Sequence, residues 1–170
     1  QQRGITEEVY MRVIGKKTAR LFESCVAVGA YARQQSEQSL APLRRYAQLL
    51  GLCFQMKDDT FDYYDDPVVG KPTGNDLREG KITLPLIYAL SLTSHPRHAE
   101  MQQLVRKQER DSADIDTLVA FAREAGGVEY TYDKMEQLRQ QACALLDAYE
   151  PCDTIEAFKQ LFQYIIVRNK

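Results

Sequence analysis

Three aspartates fall within five positions, Asp58, Asp59 and Asp62, and a stretch rich in lysine and glycine follows them. On a helix, residues four apart share a face, so Asp58 and Asp62 are expected one turn above each other, roughly 5–6 Å apart at Cβ. Asp59 is expected about 100° round the same helix. Like charges so placed repel and destabilise a helix, and a sequence selected for stability alone would break the pair with Lys or Arg. Carboxylates gathered without His or Cys suit a hard divalent cation, and Mg2+ is the expected ion. Beyond them, Lys71 and Lys81 each follow a glycine, Gly70 and Gly80, with Gly74 between. Glycine lets backbone approach a ligand closely, and lysine offers a mobile point charge to phosphate oxygens. Acid that holds a metal beside base that holds phosphate describes a metal–diphosphate site. Three carboxylates alone would sooner describe a solvated helix end, and the ordered Lys–Gly run reverses that preference towards chemistry.

Helices must position these groups, since no stretch alternates long enough to read as a strand. Thr6 is a helix N-cap followed by acid at Glu7 and Glu8. Val9, Val13, Ile14, Leu21, Phe22, Cys25, Val26, Val28 and Ala32 keep helical spacing to about Gln35. Gly15, followed by Lys16-Lys17-Thr18, predicts a kink or break, with Lys17 in solvent. After a polar joint at 36–39, Pro42 fits the first turn of the next helix. That helix carries Leu50, Phe54 and Phe61 as a buried stripe down to the aspartates, and Asp65-Asp66-Pro67 ends it. Residues 67–81 read as a loop, long enough to suggest function. A buried apolar helix is expected from Thr83 to Leu92, a polar one from Pro96 to about Gln108, and another from Asp114 or Asp116 to Gly126-Gly127. Val128 to about Tyr149 and a final helix from Pro151 or Asp153 complete the scaffold, their Met and Tyr residues expected in the core.

With 170 residues, 44% hydrophobic, the chain has the length of one domain and enough apolar content for a core. A formal charge of −2 excludes a polybasic nucleic-acid or membrane contact. No apolar run approaches a membrane span and no signal-like start is visible. Cys25, Cys53, Cys143 and Cys152 lack CxxC spacing and read as reduced, buried thiols of a cytoplasmic protein. His95 and His98 flank Pro96-Arg97 and read as surface residues, not metal ligands. The Asp58–Asp66 stretch lacks the alternating ligands and central glycine of a calcium loop.

Phe54-Gln55, Asp58-Asp59 and Asp62, then Gly70-Lys71-Pro72, Gly74, Asp76-Leu77, Gly80-Lys81 and Thr83-Leu84-Pro85, resemble the second aspartate-rich motif and following loop of the trans-isoprenyl diphosphate synthases. Upstream, Tyr10, Ile14, Lys17-Thr18-Ala19 and Leu21 resemble that family's Lys-Thr motif. The specific likeness covers roughly the first ninety residues; beyond them it is helical pattern and a basic terminus. The resemblance implies an all-α helical bundle, the C-terminal portion of an isoprenoid-synthase-type fold. It also implies a Mg2+-dependent prenyltransferase that joins an allylic diphosphate to isopentenyl diphosphate. Asp58 and Asp62 would then hold or orient Mg2+, with Asp59 and Asp76 assisting. Lys17, Lys71 and Lys81 would grip the allylic diphosphate, while Thr18 and Gln55 would set neutral oxygens beside the developing cation. Phe54 would shape the isopentenyl pocket, and Arg168 and Lys170 would clamp the isopentenyl diphosphate.

One part of that family's pattern is absent. No other DDxxD occurs in these residues, and Asp111, Asp114 and Asp116 have the wrong spacing. The expectation is therefore a single partial domain over 1–170, the C-terminal half of a synthase that is a homodimer when whole, and inactive in this form. Helices carrying Ile5–Phe22 and Leu43–Phe61 are expected to expose an apolar face. A class I terpene cyclase uses similar metal chemistry, but the loop lysines favour the elongating synthases. A non-catalytic subunit or partner-binding helical domain is the remaining alternative, and the joint presence of three aspartates and three lysines argues against it.

Overall fold

Residues 6–33, 36–64 and 73–168 are described by the structure, a computed structural model, and every regular element among them is helical. Helix α1 runs Glu7–Ile14. The Thr6 hydroxyl accepts from the Val9 amide at 3.3 Å, and Glu7 and Glu8 set acid against the positive end of the helix dipole. At Gly15, where the sequence predicts a kink or break, the helix changes type instead. Gly15–Ala19 is π-helical, and α2, Arg20–Ala32, continues from it. Such segments widen the turn to i→i+5 bonding and concentrate at functional sites.

Helix α3 spans Glu37–Thr60. Ser36 opens it, its hydroxyl accepting from the Ser39 amide at 3.3 Å and its carbonyl from Leu40 at 3.1 Å. Pro42 therefore lies in the second turn, not the first, where its missing N–H leaves the Gln38 carbonyl without its helical donor. At Thr60 the α-helix stops and Phe61–Tyr63 tightens into a 3-10 turn. Asp62 thus lies in this 3-10 turn, just beyond the α-helix that carries Asp58. Leu50 is buried as expected, but Phe54 and Phe61 are only half-buried. Residues 65–72 lie outside the described residues. The segment after them is less loop-like than its composition suggests, since α4 occupies Asn75–Arg78.

Helix α5, Leu84–Ser91, is the buried apolar helix expected there, with Pro85 in its first turn. Helix α6 is shorter than its polar pattern implied, His98–Val105. Helix α7, Ser112–Glu124, begins before Asp114 because Asp111 is its cap. Asp111 Oδ1 accepts from the Asp114 amide at 2.8 Å, and Asp114 Oδ2 accepts from the Asp111 amide at 3.3 Å. Gly126, at φ 77°, ends this helix. Helix α8, Gly127–Leu146, starts one residue earlier than expected and ends three earlier. Helix α9 is Asp153–Val167.

The chain divides into two units, one of Gln1–Tyr10 with Asp58–Thr131 and one of Met11–Lys57 with Tyr132–Lys170. In the first, α5 packs on α6 and α7, burying Tyr63, Leu84, Leu86, Met101, Leu118 and Phe121. The Tyr63 and Thr83 hydroxyls share a buried hydrogen bond of 2.9 Å, so neither is left unsatisfied. A Cβ at Gly127 would fall 2.1 Å from the Pro85 carbonyl oxygen, so glycine permits that approach of α8 to α5. His95 and His98 are half-buried joint residues, not surface decoration. The His95 ring meets Phe121 edge-on at 5.0 Å, and His98 Nε2 lies 3.1 Å from the Leu90 carbonyl oxygen.

In the second unit, Tyr46 anchors α3 against α9. Its ring lies 5.4 Å from Phe158 and 5.5 Å from Phe162, and its hydroxyl donates to the Phe158 carbonyl at 2.8 Å. Met56 on α3 and Met135, Ala142 and Leu146 on α8 are fully buried. Large apolar side chains are exposed at Val13, Leu21, Val28 and Tyr31. The expected apolar face thus runs on past Phe22, while Leu43–Phe61 contributes none of it. Cys25 shares that open face and Cys152 is exposed too; Cys143 is half-exposed, and Cys53 alone is a buried thiol. All four are free, as expected.

Candidate functional site

Helix α3 ends in two aspartates whose surroundings differ sharply. Asp58 is exposed, whereas Asp59 is only 7% exposed. Asp59 Oδ2 accepts a 2.7 Å hydrogen bond from the phenol of Tyr10, itself buried on α1. Burial and the Asp59 charge together push the Tyr10 phenol well above its ordinary pKa, so it remains a donor. The sequence places Tyr10 in a motif but gives it no role.

Asp62, half-buried in the 3-10 turn, reaches across to the start of α4. Its Oδ1 accepts from the Asn75 amide at 2.7 Å and its Oδ2 from the Asp76 amide at 3.0 Å. Its main-chain oxygen accepts from the Gly74 amide at 2.9 Å. Burial and then the neighbouring Asp76 raise the Asp62 carboxyl above the usual range, while the two amides pull it back. Downstream, the Lys81 amide donates to the Asp76 carbonyl at 2.8 Å, and Lys81 Nζ stands 3.5 Å from Asp76 Oδ1. Lys81 is exposed and also pairs with Glu79, which raises its pKa. Asp62, Asp76 and Lys81 are therefore neighbours. Lys71 lies outside the described residues.

A second group lies in the other unit. Lys17 is exposed on the π-helical segment. Thr18 beside it donates to Gln55 Oε1 at 2.6 Å, and Gln55 is 5% exposed. That bond fixes the orientation of the amide. The segment sits tightly on α3, because a Cβ at Gly51 would lie 2.6 Å from Ala19 Cα. Phe54 is flanked by Phe22, ring centroids 5.5 Å apart, and by the Arg168 guanidinium 4.2 Å from its ring centroid. Arg168 and Phe54, both assigned to one pocket by sequence, are thus in contact. Lys170 lies outside the described residues. Lys57 carries no signal in the sequence. It is 3% exposed, and its Nζ donates to the Tyr132 hydroxyl at 2.7 Å.

Among the described residues, no three acidic, His or Cys side chains converge into a metal cage. Mg2+ does not demand one. It keeps several waters and commonly uses one or two carboxylates together with phosphate oxygens. The all-oxygen set of Asp58, Asp59 and Asp76 fits that habit. A cleft of about 470 Å3, lined by Tyr64, Arg123, Glu124 and Glu129 among others, contains none of these side chains. No described helix is long and apolar enough to cross a membrane.

Comparison with known proteins agrees with the geometry. Residues 1–122 match the family described as Polyprenyl synthetase. The chain is 35% identical over 170 residues to the octaprenyl diphosphate synthase of Escherichia coli, covering 98% of this chain and 51% of that one. The crystal structure of geranylgeranyl pyrophosphate synthase from Bacteroides thetaiotaomicron superposes with a TM-score of 0.87 at 38% identity, covering 96% of this chain and 54% of the other. That of the Corynebacterium glutamicum enzyme, complexed with isoprenyl diphosphate and magnesium, gives 0.80 at 28% identity, covering 95% and 47%. The chain thus spans about half the length of the relatives it matches.

Proposed function

The chain belongs to the polyprenyl synthetase family, and from that premise we propose that it is part of a prenyltransferase joining an allylic diphosphate to isopentenyl diphosphate. The product is a longer trans-polyprenyl diphosphate. The observation that carries this reading is the meeting of acid and base in one unit: Lys81 stands 3.5 Å from Asp76, whose amide is held by Asp62. Bound there, Mg2+ would neutralise the charge that gathers on the departing diphosphate. Asp58 and Asp62 hold or orient the metal, and Asp59 and Asp76 assist with further hard oxygen donors. Lys17, Lys71 and Lys81 bind diphosphate oxygens as point charges.

Thr18 and Gln55 present neutral oxygens to the carbocation. Their mutual hydrogen bond supports this, because it sets both groups before any charge develops. Phe54 shapes the isopentenyl pocket, and Arg168, stacked on it, binds the isopentenyl diphosphate, with Lys170 assisting. With one DDxxD, the 170-residue chain binds metal and diphosphate but does not complete the reaction by itself.

Calorimetry with inorganic pyrophosphate tests this. Binding is expected only with Mg2+ present, and Lys81→Ala is expected to weaken it roughly tenfold, the loss of one charge-assisted contact. Pyrophosphate that binds equally without Mg2+, or equally to the variant, would overturn the assignment. Prenyl products formed by the chain alone would overturn its expected inactivity.

A further inference from the structure

The acidic stretch looks uniform in sequence but is not uniform in structure. Asp58 is exposed, Asp59 meets Tyr10, and Asp62 makes contacts of another kind. Both of its carboxylate oxygens and its main-chain oxygen accept from the consecutive amides of Gly74, Asn75 and Asp76. We infer that Asp62 is a positioning residue: it holds the turn that carries Asp76 and Lys81, and leaves contact with metal and diphosphate to its neighbours.

The turn itself is built for that grip. Gly74 is left-handed at φ 77°, and a Cβ there would fall 2.3 Å from Ile115 Cγ2, so the chain lies directly on α7. The Arg110 guanidinium donates to the Leu77 carbonyl at 3.1 Å and secures the far side. Between these fixed points, the Asp76 carbonyl takes the Lys81 amide at 2.8 Å, so displacing Asp76 displaces Lys81. An anionic acceptor on two adjacent amides is a charge-assisted arrangement, and it engages one lone pair on each of the two carboxylate oxygens. Asp62 also sits in the 3-10 turn past the end of the α-helix that carries Asp58.

This division of labour rests on the proposed diphosphate site, so two measurements are needed. The first is amide hydrogen exchange, monitored by NMR on the Mg2+-free chain. The Asn75 and Asp76 amides are expected to be protected, and Asp62→Ala should expose them to roughly ten- to hundredfold faster exchange while α7 is unchanged. Asp62→Asn keeps one acceptor oxygen and covers the case in which Asp62→Ala fails to fold; it should release one amide and spare the other. Equal exchange of both amides in wild type and Asp62→Asn would overturn the inference.

The second is pyrophosphate calorimetry across a Mg2+ series. Asp58→Asn should raise the Mg2+ concentration for half-saturation, whereas Asp62→Asn should weaken pyrophosphate binding at saturating Mg2+ without moving that midpoint. A midpoint shift in Asp62→Asn as large as in Asp58→Asn would make Asp62 a ligand and overturn the inference. If wild type binds no pyrophosphate with Mg2+, the functional reading fails, and the exchange result alone decides whether Asp62 holds the turn.

Discussion

The phenol of Tyr10 donates to Asp59 Oδ2 at 2.7 Å, joining two buried side chains 49 residues apart in the chain. A carboxylate that has lost most of its water needs donors, and a phenol whose pKa is pushed up by burial and by that carboxylate remains one. Tyr10→Phe removes the hydroxyl and keeps the ring. The expected cost is about 1–3 kcal/mol, read as a lower urea midpoint with unchanged slope. A midpoint equal to wild type would show that the bond contributes nothing to the fold.

Two glycines in the second unit predict opposite signs for one substitution. Around Gly51 a Cβ would meet Ala19 Cα at 2.6 Å, and backbone cannot give way as a flexible side-chain tip can. Gly51→Ala should destabilise by about 1–3 kcal/mol through overpacking against the π-helical segment. Gly29, inside α2, has nothing within 4 Å of its Cβ position. Gly29→Ala should therefore stabilise by about 0.5–1 kcal/mol, through helix propensity and a less free unfolded chain. Thermal melts of the two variants beside wild type check both signs together.

Thiol reactivity should separate the cysteines by burial. Cys25 and Cys152 are exposed and should be alkylated in the native protein, whereas burial pushes the Cys53 thiol up to about 12 and should protect it until the chain unfolds. The pH dependence has the same origin. A thiol raised in the folded state binds its proton there more tightly than in the unfolded chain. Its contribution to stability is thus complete below the ordinary thiol pKa of about 8.5 and is lost as pH rises towards about 12. Cys53→Ala should flatten that alkaline decline, measured as urea midpoint against pH.

Local signals carried most of the fold. The run Leu84–Ser91 is apolar on every side with Pro85 in its first turn, which leaves a buried helix as the simple outcome. Gly126 at φ 77° ends α7 as the Gly126-Gly127 pair suggested. The run of acid at Asp58, Asp59 and Asp62 followed by Lys81 was equally visible, because like charges so close are costly without a ligand. Contacts between distant segments were not visible. Periodicity cannot say that the Tyr10 hydroxyl faces Asp59. It counted Asp62 with Asp58, because the change from α-helix to 3-10 turn at Phe61 leaves no mark in composition. The apolar face expected to lie open was bounded at Phe22 and so missed Cys25 and Val28, since spacing reports that a face is apolar and not what covers it.

Locating the metal tests the central claim most directly. Mn2+ can stand in for Mg2+ beside inorganic pyrophosphate, and its paramagnetism broadens nearby amide signals steeply with distance. The amides of Asp58, Asp59 and Asp76 should broaden first, followed by Lys81, only when pyrophosphate is present. Broadening centred on other acidic residues, such as Asp147 and Glu150, or unchanged by pyrophosphate, would contradict a metal–diphosphate site at the end of α3.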